Sequence, residues 1–411
     1  MIADRHSYAA VTLAYWAFTL TDGALRMLVL LHFHSLGYTP LDIAILFLLY
    51  EAMGIVTNLL GGWIGARFGL RVTLFAGLAI QIGALMMLSA TDPAWALGIS
   101  VAYVMAAQAL SGIAKDLTKM SSKSAVKLVI RENEGQGLLF KWIAILTGSK
   151  NALKGVGFLC GGVLLQVLGF EGSLWSMAGL LTVVLVASTR LIGADLGKAA
   201  AKIASRDLFS KSRAINVLSF ARVFLFASRD VWFVVGVPVF LAEILGWSFS
   251  GIGGFMAAWV IGYGIVQASA PKMLASTRDA ASASRAAWVW GFVLAALTAA
   301  LAFAMSWSGE HSAMILVGGL FVFGVVFAIN SAVHSYLIVA FSDDDKVTLN
   351  VGFYYMANAI GRFAGTLLSG IVYQFAGLAA CLWTSAVMVL IAAVSAMAMG
   401  PGRAATVPRT E

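Results

Sequence analysis

Lys150 and Lys154 stand four residues apart in "LTGSKNALKGVGF", a stretch that otherwise reads as membrane-spanning helix. A lysine at the bilayer centre costs at least ~3 kcal/mol on insertion scales. With this helix entering near Leu138, a rise of 1.5 Å per residue puts the two positions about 18 and 24 Å along it, too deep to lie wholly at a surface. Their spacing sets both on one helix face. Arg229 and Arg362 also fall in mid-span, and Arg222 lies two turns before Arg229 on the same side. Arg26 follows Asp22 by four residues, and Lys115 and Lys119 repeat that spacing near the end of another span. The acids at comparable depth, chiefly Asp22, Glu51, Asp116 and Asp230, are fewer than these cations. Unpaired buried charge is costly, so the pattern calls for an anion brought by a ligand. Arginine suits the paired oxygens of phosphate-like groups, and lysine acts as an adaptable point charge. A ligand charged at both ends, or one dense oxyanion, would answer cations spread over several spans.

Plainer readings stand beside this one. Asp22 and Arg26 have the spacing of a structural ion pair on one helix. Lys115, Lys119 and Lys141 are placed to snorkel to an interface, and Arg222 is near enough to a span end to do the same. Glu51 and Asp230 suit either proton coupling or service as counter-ions. His32, His34 and His334 read as packing or interface residues. Asn58, Asn330, Asn350 and Asn358 suit interhelical hydrogen bonds or contacts to a ligand. Cys160 and Cys381 are isolated, with no C-x-x-C partner and no histidine at metal-ligand spacing, so a thiolate metal site is not expected. No nucleophile–base pair, metal constellation or Gly-rich phosphate loop occurs, so neither an enzyme nor a cofactor is expected.

The elements that must carry these residues are membrane spans. The 411 residues are 61% hydrophobic and only 11% charged, whereas soluble chains are about a quarter charged. About twelve stretches have the roughly 20 apolar residues a span needs: 8–34, 41–66, 70–90, 94–118, 138–168, 173–192, 214–243, 250–270, 286–306, 312–340, 348–375 and 378–400. Alternate loops hold the basic residues: Arg67 and Arg71; Lys123, Lys127 and Arg131; Lys198 to Arg213; Lys272, Arg278 and Arg285; Lys346. The loops between, near Ser35, Asp92, Gly172, Trp247, Gly309 and Gly377, hold no Lys or Arg. By the positive-inside rule the number of spans is even and both termini are expected in the cytoplasm. The first span begins too early for a cleavable signal peptide. The net charge of +8 then reports topology, and no nucleic-acid partner is expected. An N-terminal six-helix half (1–192), a cytoplasmic linker (193–213) and a C-terminal six-helix half (214–411) follow. The linker is basic and Ala/Ser-rich, suited to lying on anionic lipid.

The halves repeat. "NALKGVGFLCGGVLLQVLGF" from Asn151 answers "NAIGRFAGTLLSGIVYQFAGL" from Asn358, at an offset of 207 to 208 residues, which pairs Lys154 with Arg362 and Gln166 with Gln374. Leu36-Gly37-Tyr38 likewise answers Leu245-Gly246-Trp247. Two parallel six-span halves around a midplane site resemble the major facilitator fold. After the second span, Gly62, Arg67, Gly69 and Arg71 match that superfamily's Gly-x-x-x-Asp-Arg-x-Gly-Arg-Lys loop, with Ala66 in place of its acid and Leu70 in place of an Arg. Arg67 thus remains a candidate gating residue without the superfamily's acidic partner.

"YWAFTLTDGALRMLVLLHFHSLGY" at Tyr15–Tyr38, "AQALSGIAKDLTKMSSKSAVK" at Ala107–Lys127, and "LFKW" with "LTGSKNALKGVGF" resemble the ArsJ family of organoarsenical efflux permeases, over almost the whole chain. The resemblance implies a bacterial inner-membrane antiporter in an arsenate-resistance system. There a glyceraldehyde-3-phosphate dehydrogenase uses arsenate in place of phosphate, and the permease exports the 1-arseno-3-phosphoglycerate so made. Such a substrate has an oxyanion at each end. On this reading Arg26, Lys115, Lys119, Lys150, Lys154, Arg229 and Arg362 are substrate-binding candidates. Asp22, Glu51, Asp116, Asp230 and Arg67 are coupling or gating candidates, and the chain is expected to act as a monomer. The alternatives are an organophosphate or sugar-phosphate facilitator or exchanger, and a non-transporting membrane receptor or scaffold.

Overall fold

The computed structural model describes residues 2–129, 136–192, 212–273, 280–307, 309–342 and 347–399, without the side chains of 2–8, 61–68, 70, 123–129, 136–148, 271–273 and 347–349. The Arg67 side chain and nearly all of the 193–213 linker lie outside the described residues. Every described element is helical. In chain order they are α1 (Ile2–Ser35), α2 (Pro40–Leu46), α3 (Leu48–Ser89), α4 (Leu97–Val129), α5 (Gln136–Leu191), α6 (Arg213–Phe233), α7 (Gly236–Glu243), α8 (Phe249–Met273), α9 (Ala280–Ser306), α10 (Ser312–Ala340) and α11 (Val347–Met397).

Helix length fixes how these elements count as spans. At 1.5 Å per residue, about 20 residues cross a bilayer core. At 56 and 51 residues, α5 and α11 are long enough to cross twice. Each turns back at a glycine with matching backbone angles, Gly169 (φ 68°, ψ −174°) and Gly377 (φ 74°, ψ −173°). Only glycine enters that region without a Cβ penalty. The two glycines are one repeat offset apart, so the repeat read in the letters is also a repeat of conformation. In α3 the same role falls to Gly69 (φ 75°) of the loop motif. Counting these three helices twice, and joining α2 to the first limb of α3 and α6 to α7, gives twelve crossings among the described residues, an even number as the loop charges require.

The seventh crossing is interrupted. Pro238 has no N–H to give the Val234 carbonyl, and its ring crowds that carbonyl. The chain therefore stops as α6 at Phe233 and restarts as α7 at Gly236. The orphaned N–H groups of Val235 and Gly236 both donate to Ser369 Oγ of α11, at 3.1 Å each. The break sits one turn beyond Asp230, at the depth of the buried charges.

Within the first half α1 packs on α5 and α3 on α4; within the second, α11 packs on α6 and α9. Between halves, α5 meets α8, and α11 meets α2 and α3. A core of Trp232, Trp259, Phe323 and Phe327 fills the second half, with the Trp259 indole donating to the Leu320 carbonyl at 2.7 Å. Large apolar side chains such as Val167, Val183, Ile265 and Phe303 are exposed on the outside of the spans, as lipid-facing positions should be.

On the face where α1 ends and α2 begins, the halves meet through two symmetry-related backbone contacts. Gly162 of α5 packs on the Phe249 carbonyl at the start of α8, and Gly370 of α11 packs on Pro40 and Leu41 at the start of α2. A Cβ on Gly370 would lie 2.7 Å from the Pro40 carbonyl oxygen, closer than atoms pack. The Leu41 N–H donates to Gln374 Oε1 across the same joint at 3.0 Å. Gly370→Val is expected to wedge this joint open. The check is thiol cross-linking of Leu41→Cys with Gln374→Cys, in a background with both native cysteines replaced by Ala. Several-fold less cross-link than with Gly370 is expected, and undiminished cross-linking would refute the wedge.

Candidate functional site

The buried cations converge on one cavity of about 150 Å³ between the halves. Four crossings of the first half line it, through Asp22 (α1), Glu51 and Asn58 (α3), Lys115, Asp116 and Lys119 (α4) and Lys150 and Lys154 (α5). Among the described residues, the second half lines it from α11 alone, with Tyr355, Asn358 and Arg362. Spacings of three, four or seven residues set Glu51 with Asn58, Lys115 with Lys119, Lys150 with Lys154, and Tyr355, Asn358 and Arg362 each on one helix face. Five cations thus meet three carboxylates at the cavity wall.

A chain of ion pairs forms the deep end of this cavity. Glu51, 1% exposed, accepts from Arg362 Nη2 at 2.6 Å and from Arg26 Nη2 at 3.1 Å. Arg362 Nε also lies 3.5 Å from Asp230 Oδ2, and Asp230 Oδ1 is 2.5 Å from Arg229 Nη2. The alternating series Arg26–Glu51–Arg362–Asp230–Arg229 therefore stitches the first half to the second. Charges so paired satisfy one another in a medium where an isolated ion would be very costly. Arg26 is further covered by the Phe47 ring at 5.2 Å.

Two of the acids are committed elsewhere. Asp22 does not pair with Arg26; its Oδ1 accepts the Tyr50 hydroxyl at 2.7 Å. The four-residue spacing was right for one helix face, but Glu51 from α3 reaches the guanidinium instead. Asp116 accepts from the Thr57 hydroxyl and lies 3.3 Å from Lys119 Nζ, which also donates to Asn58 Oδ1 at 2.8 Å. Lys119 is thus held inside the bundle, with its Nζ 5.2 Å from the Tyr355 ring centroid.

What is left over is positive. Among the ion pairs of the described residues, none involves Lys115 or Lys154. Lys115 Nζ sits 4.0 Å from the Tyr50 ring centroid, and Lys154 Nζ 5.7 Å from that of Phe158. An aromatic face attracts a cation but does not neutralise it. The excess charge therefore belongs to Lys115 and Lys154, while Arg26 and Arg229 lie behind the wall in the ionic chain. Among the described residues no group of His, Cys, Asp or Glu is arranged to hold a metal. Cys160 and Cys381 are free thiols.

Sequence reasoning placed Arg222 near a span end, and the structure corrects this. Arg222 is 4% exposed and lies between helices of the second half, not at an interface. Its Nε donates to Asn358 Oδ1 at 3.2 Å, and its Nη1 to the Ser331 hydroxyl and carbonyl at 3.1 and 3.3 Å. A depth count from Arg213 would have found it. Nine residues of helix put it about 14 Å along the span, beyond easy snorkelling.

Twelve crossings in two repeats, closed around a charged central cavity, define a secondary transporter. The profile of the Major Facilitator Superfamily matches residues 10–275, more than half of the sequence, and the chain belongs to that superfamily. Among solved structures, a mutant of the nucleoside transporter NupG aligns with a TM-score of 0.73 at 16% identity, covering 96% of this chain and 100% of the other. A POT family transporter in complex with a thioalcohol-conjugated peptide aligns with a TM-score of 0.72 at 14% identity, covering 96% of each chain. At such identities the likeness is one of fold. No curated protein sequence matches the chain.

Proposed function

We propose that this transporter exports an organic oxyanion by alternating access, and that the substrate is 1-arseno-3-phosphoglycerate. The observation that carries the anion is the surplus of cations over carboxylates in the cavity, with Lys115 and Lys154 outside every ion pair of the described residues. The arsenical rests on the family resemblance of the Tyr15–Tyr38, Ala107–Lys127 and Leu146–Phe158 segments. Pentavalent arsenic presents oxygens, which ammonium and guanidinium groups bind as they bind phosphate. The setting is the bacterial inner membrane, with both termini cytoplasmic, the chain monomeric and a glyceraldehyde-3-phosphate dehydrogenase as the source of substrate.

In an arsenate-sensitive host, co-expression with that dehydrogenase is expected to protect against arsenate but not arsenite. Without a suitable dehydrogenase no protection is expected. Equal protection against arsenite would point to a trivalent substrate and overturn the assignment. Phosphate-stimulated exchange of sugar phosphates, with no effect on arsenate resistance, would replace it with an organophosphate exchanger.

Asp22 is the acid best placed to couple transport to protons. It lines the cavity, and its bond to the neutral Tyr50 hydroxyl leaves it without a cation clamp, whereas Glu51 is held by two arginines. For proton antiport, proton uptake at Asp22 must accompany release of the anion on the far side, so that the two occupy the cavity in alternation. Asp22→Asn is expected to make flux in vesicles insensitive to an imposed pH gradient. If the wild-type flux itself ignores the gradient, transport is uniport or anion exchange.

A further inference from the structure

The second half contributes one cavity cation, Arg362, and that guanidinium is already shared between Glu51 and Asp230. A two-ended anion would therefore find a free pole only on the first half. Directly behind the wall, however, lies Arg222. It is buried, takes part in no ion pair of the described residues, and stands with its guanidinium carbon 4.0 Å from the Phe226 ring centroid and 4.9 Å from that of Tyr354. Its hydrogen-bond partners are neutral: Ser331 and the side-chain oxygen of Asn358. Asn358 is also a wall residue of the cavity, so a single amide stands between an uncompensated guanidinium and the ligand space. One turn past Ser331, His334 adds a buried Nδ1 with no hydrogen-bond partner.

Resting on the anion-export reading above, we propose that Arg222 is the second half's anion subsite, with Asn358 as its shutter. The Asn358 amide holds the place of a ligand oxygen at Arg222 Nε. Rotation of that amide admits a carboxylate or phosphate-type oxygen, while the lysines of α4 and α5 hold the ligand's other end. A buried guanidinium held only by neutral dipoles gains the Coulomb attraction of an opposite charge at low dielectric when an anionic oxygen takes the amide's place. The site thus selects anions charged at both ends over singly headed ones, and it makes ligand binding span the two halves.

The test uses purified full-length protein and two probes, 3-phosphoglycerate and inorganic phosphate. Asn358→Asp supplies Arg222 with a permanent intramolecular carboxylate at the position of the present 3.2 Å bond. It is expected to weaken 3-phosphoglycerate at least tenfold and to change phosphate, which the lysine pole can hold alone, by less than twofold. Asn358→Ala removes the competitor and keeps the arginine, so its 3-phosphoglycerate affinity is expected to equal or exceed that of the wild type. Equal weakening of both probes by Asn358→Asp, no weakening of either, or a tenfold loss in Asn358→Ala would each overturn the subsite. Failure of the wild type to bind either probe would instead remove the anion-export reading on which the subsite rests.

Discussion

Glu51→Gln is expected to destabilise the protein by about 3–5 kcal/mol, the cost of stranding a buried charge by removing its partner. Glu51 is 1% exposed and serves two guanidiniums, Arg26 at 3.1 Å and Arg362 at 2.6 Å. The amide keeps the shape and one acceptor oxygen but removes the only carboxylate paired with Arg26 among the described residues. Arg362 retains Asp230 at 3.5 Å and so suffers less. The loss is therefore expected to fall mainly on Arg26, and Glu51→Gln with Arg26→Gln should recover much of it. Thermal melting in detergent reads the effect directly. A Glu51→Gln protein that melts with the wild type would mean that water or lipid headgroups, not Glu51, neutralise Arg26. Because the Glu51–Arg362 contact joins α3 to α11, the same variant should also loosen the two halves.

Lys154→Gln is expected to act the opposite way, leaving stability intact while weakening anion binding. No ion pair of the described residues includes Lys154, so no carboxylate is stranded by its removal. The desolvation cost of the ammonium disappears with it. A hydrogen bond to a charged group contributes about 1.5–3 kcal/mol, a factor of roughly ten to a hundred in affinity. Titration of the purified variant with 3-phosphoglycerate measures the loss, and melting measures the stability. Arg362→Gln offers the contrast: its guanidinium is already divided between Glu51 and Asp230, so its expected effect on binding is smaller. Wild-type affinity in Lys154→Gln would return this lysine to a packing role against Phe158.

The spans, their number and their repeat were legible because a bilayer imposes a length and a charge asymmetry on every crossing. The reversals at Gly169 and Gly377 follow the same logic, since a helix that must turn back needs a residue free to leave the right-handed region. The depth of Lys150 and Lys154 was likewise arithmetic on one helix. Partner choice was not legible. Glu51 reaches Arg26 from 25 residues away and Arg362 from 311, and nothing local in the letters favours these pairings over Asp22 with Arg26. Helix spacing gives the face a residue occupies, but not which neighbouring helix presents the complementary group. The pairing of Arg229 and Arg362 was hidden for the same reason: both look like the lysines in sequence, and in space they meet Asp230 and Glu51. The seventh span reads in sequence as unbroken over 214–243; its break follows from Pro238, and Ser369, which satisfies the freed N–H groups, lies 133 and 134 residues away.

Export of the arsenylated phosphoglycerate is tested most directly in inside-out membrane vesicles holding this chain. The outside solution supplies arsenate labelled at arsenic, glyceraldehyde-3-phosphate, the oxidised nicotinamide cofactor and the dehydrogenase, so that the unstable substrate forms at the face that was cytoplasmic. Label is expected to accumulate inside the vesicles only when all four are present, and to fall at least fivefold with Lys154→Gln. Accumulation of label from arsenate alone, or none with the complete mixture, would contradict it.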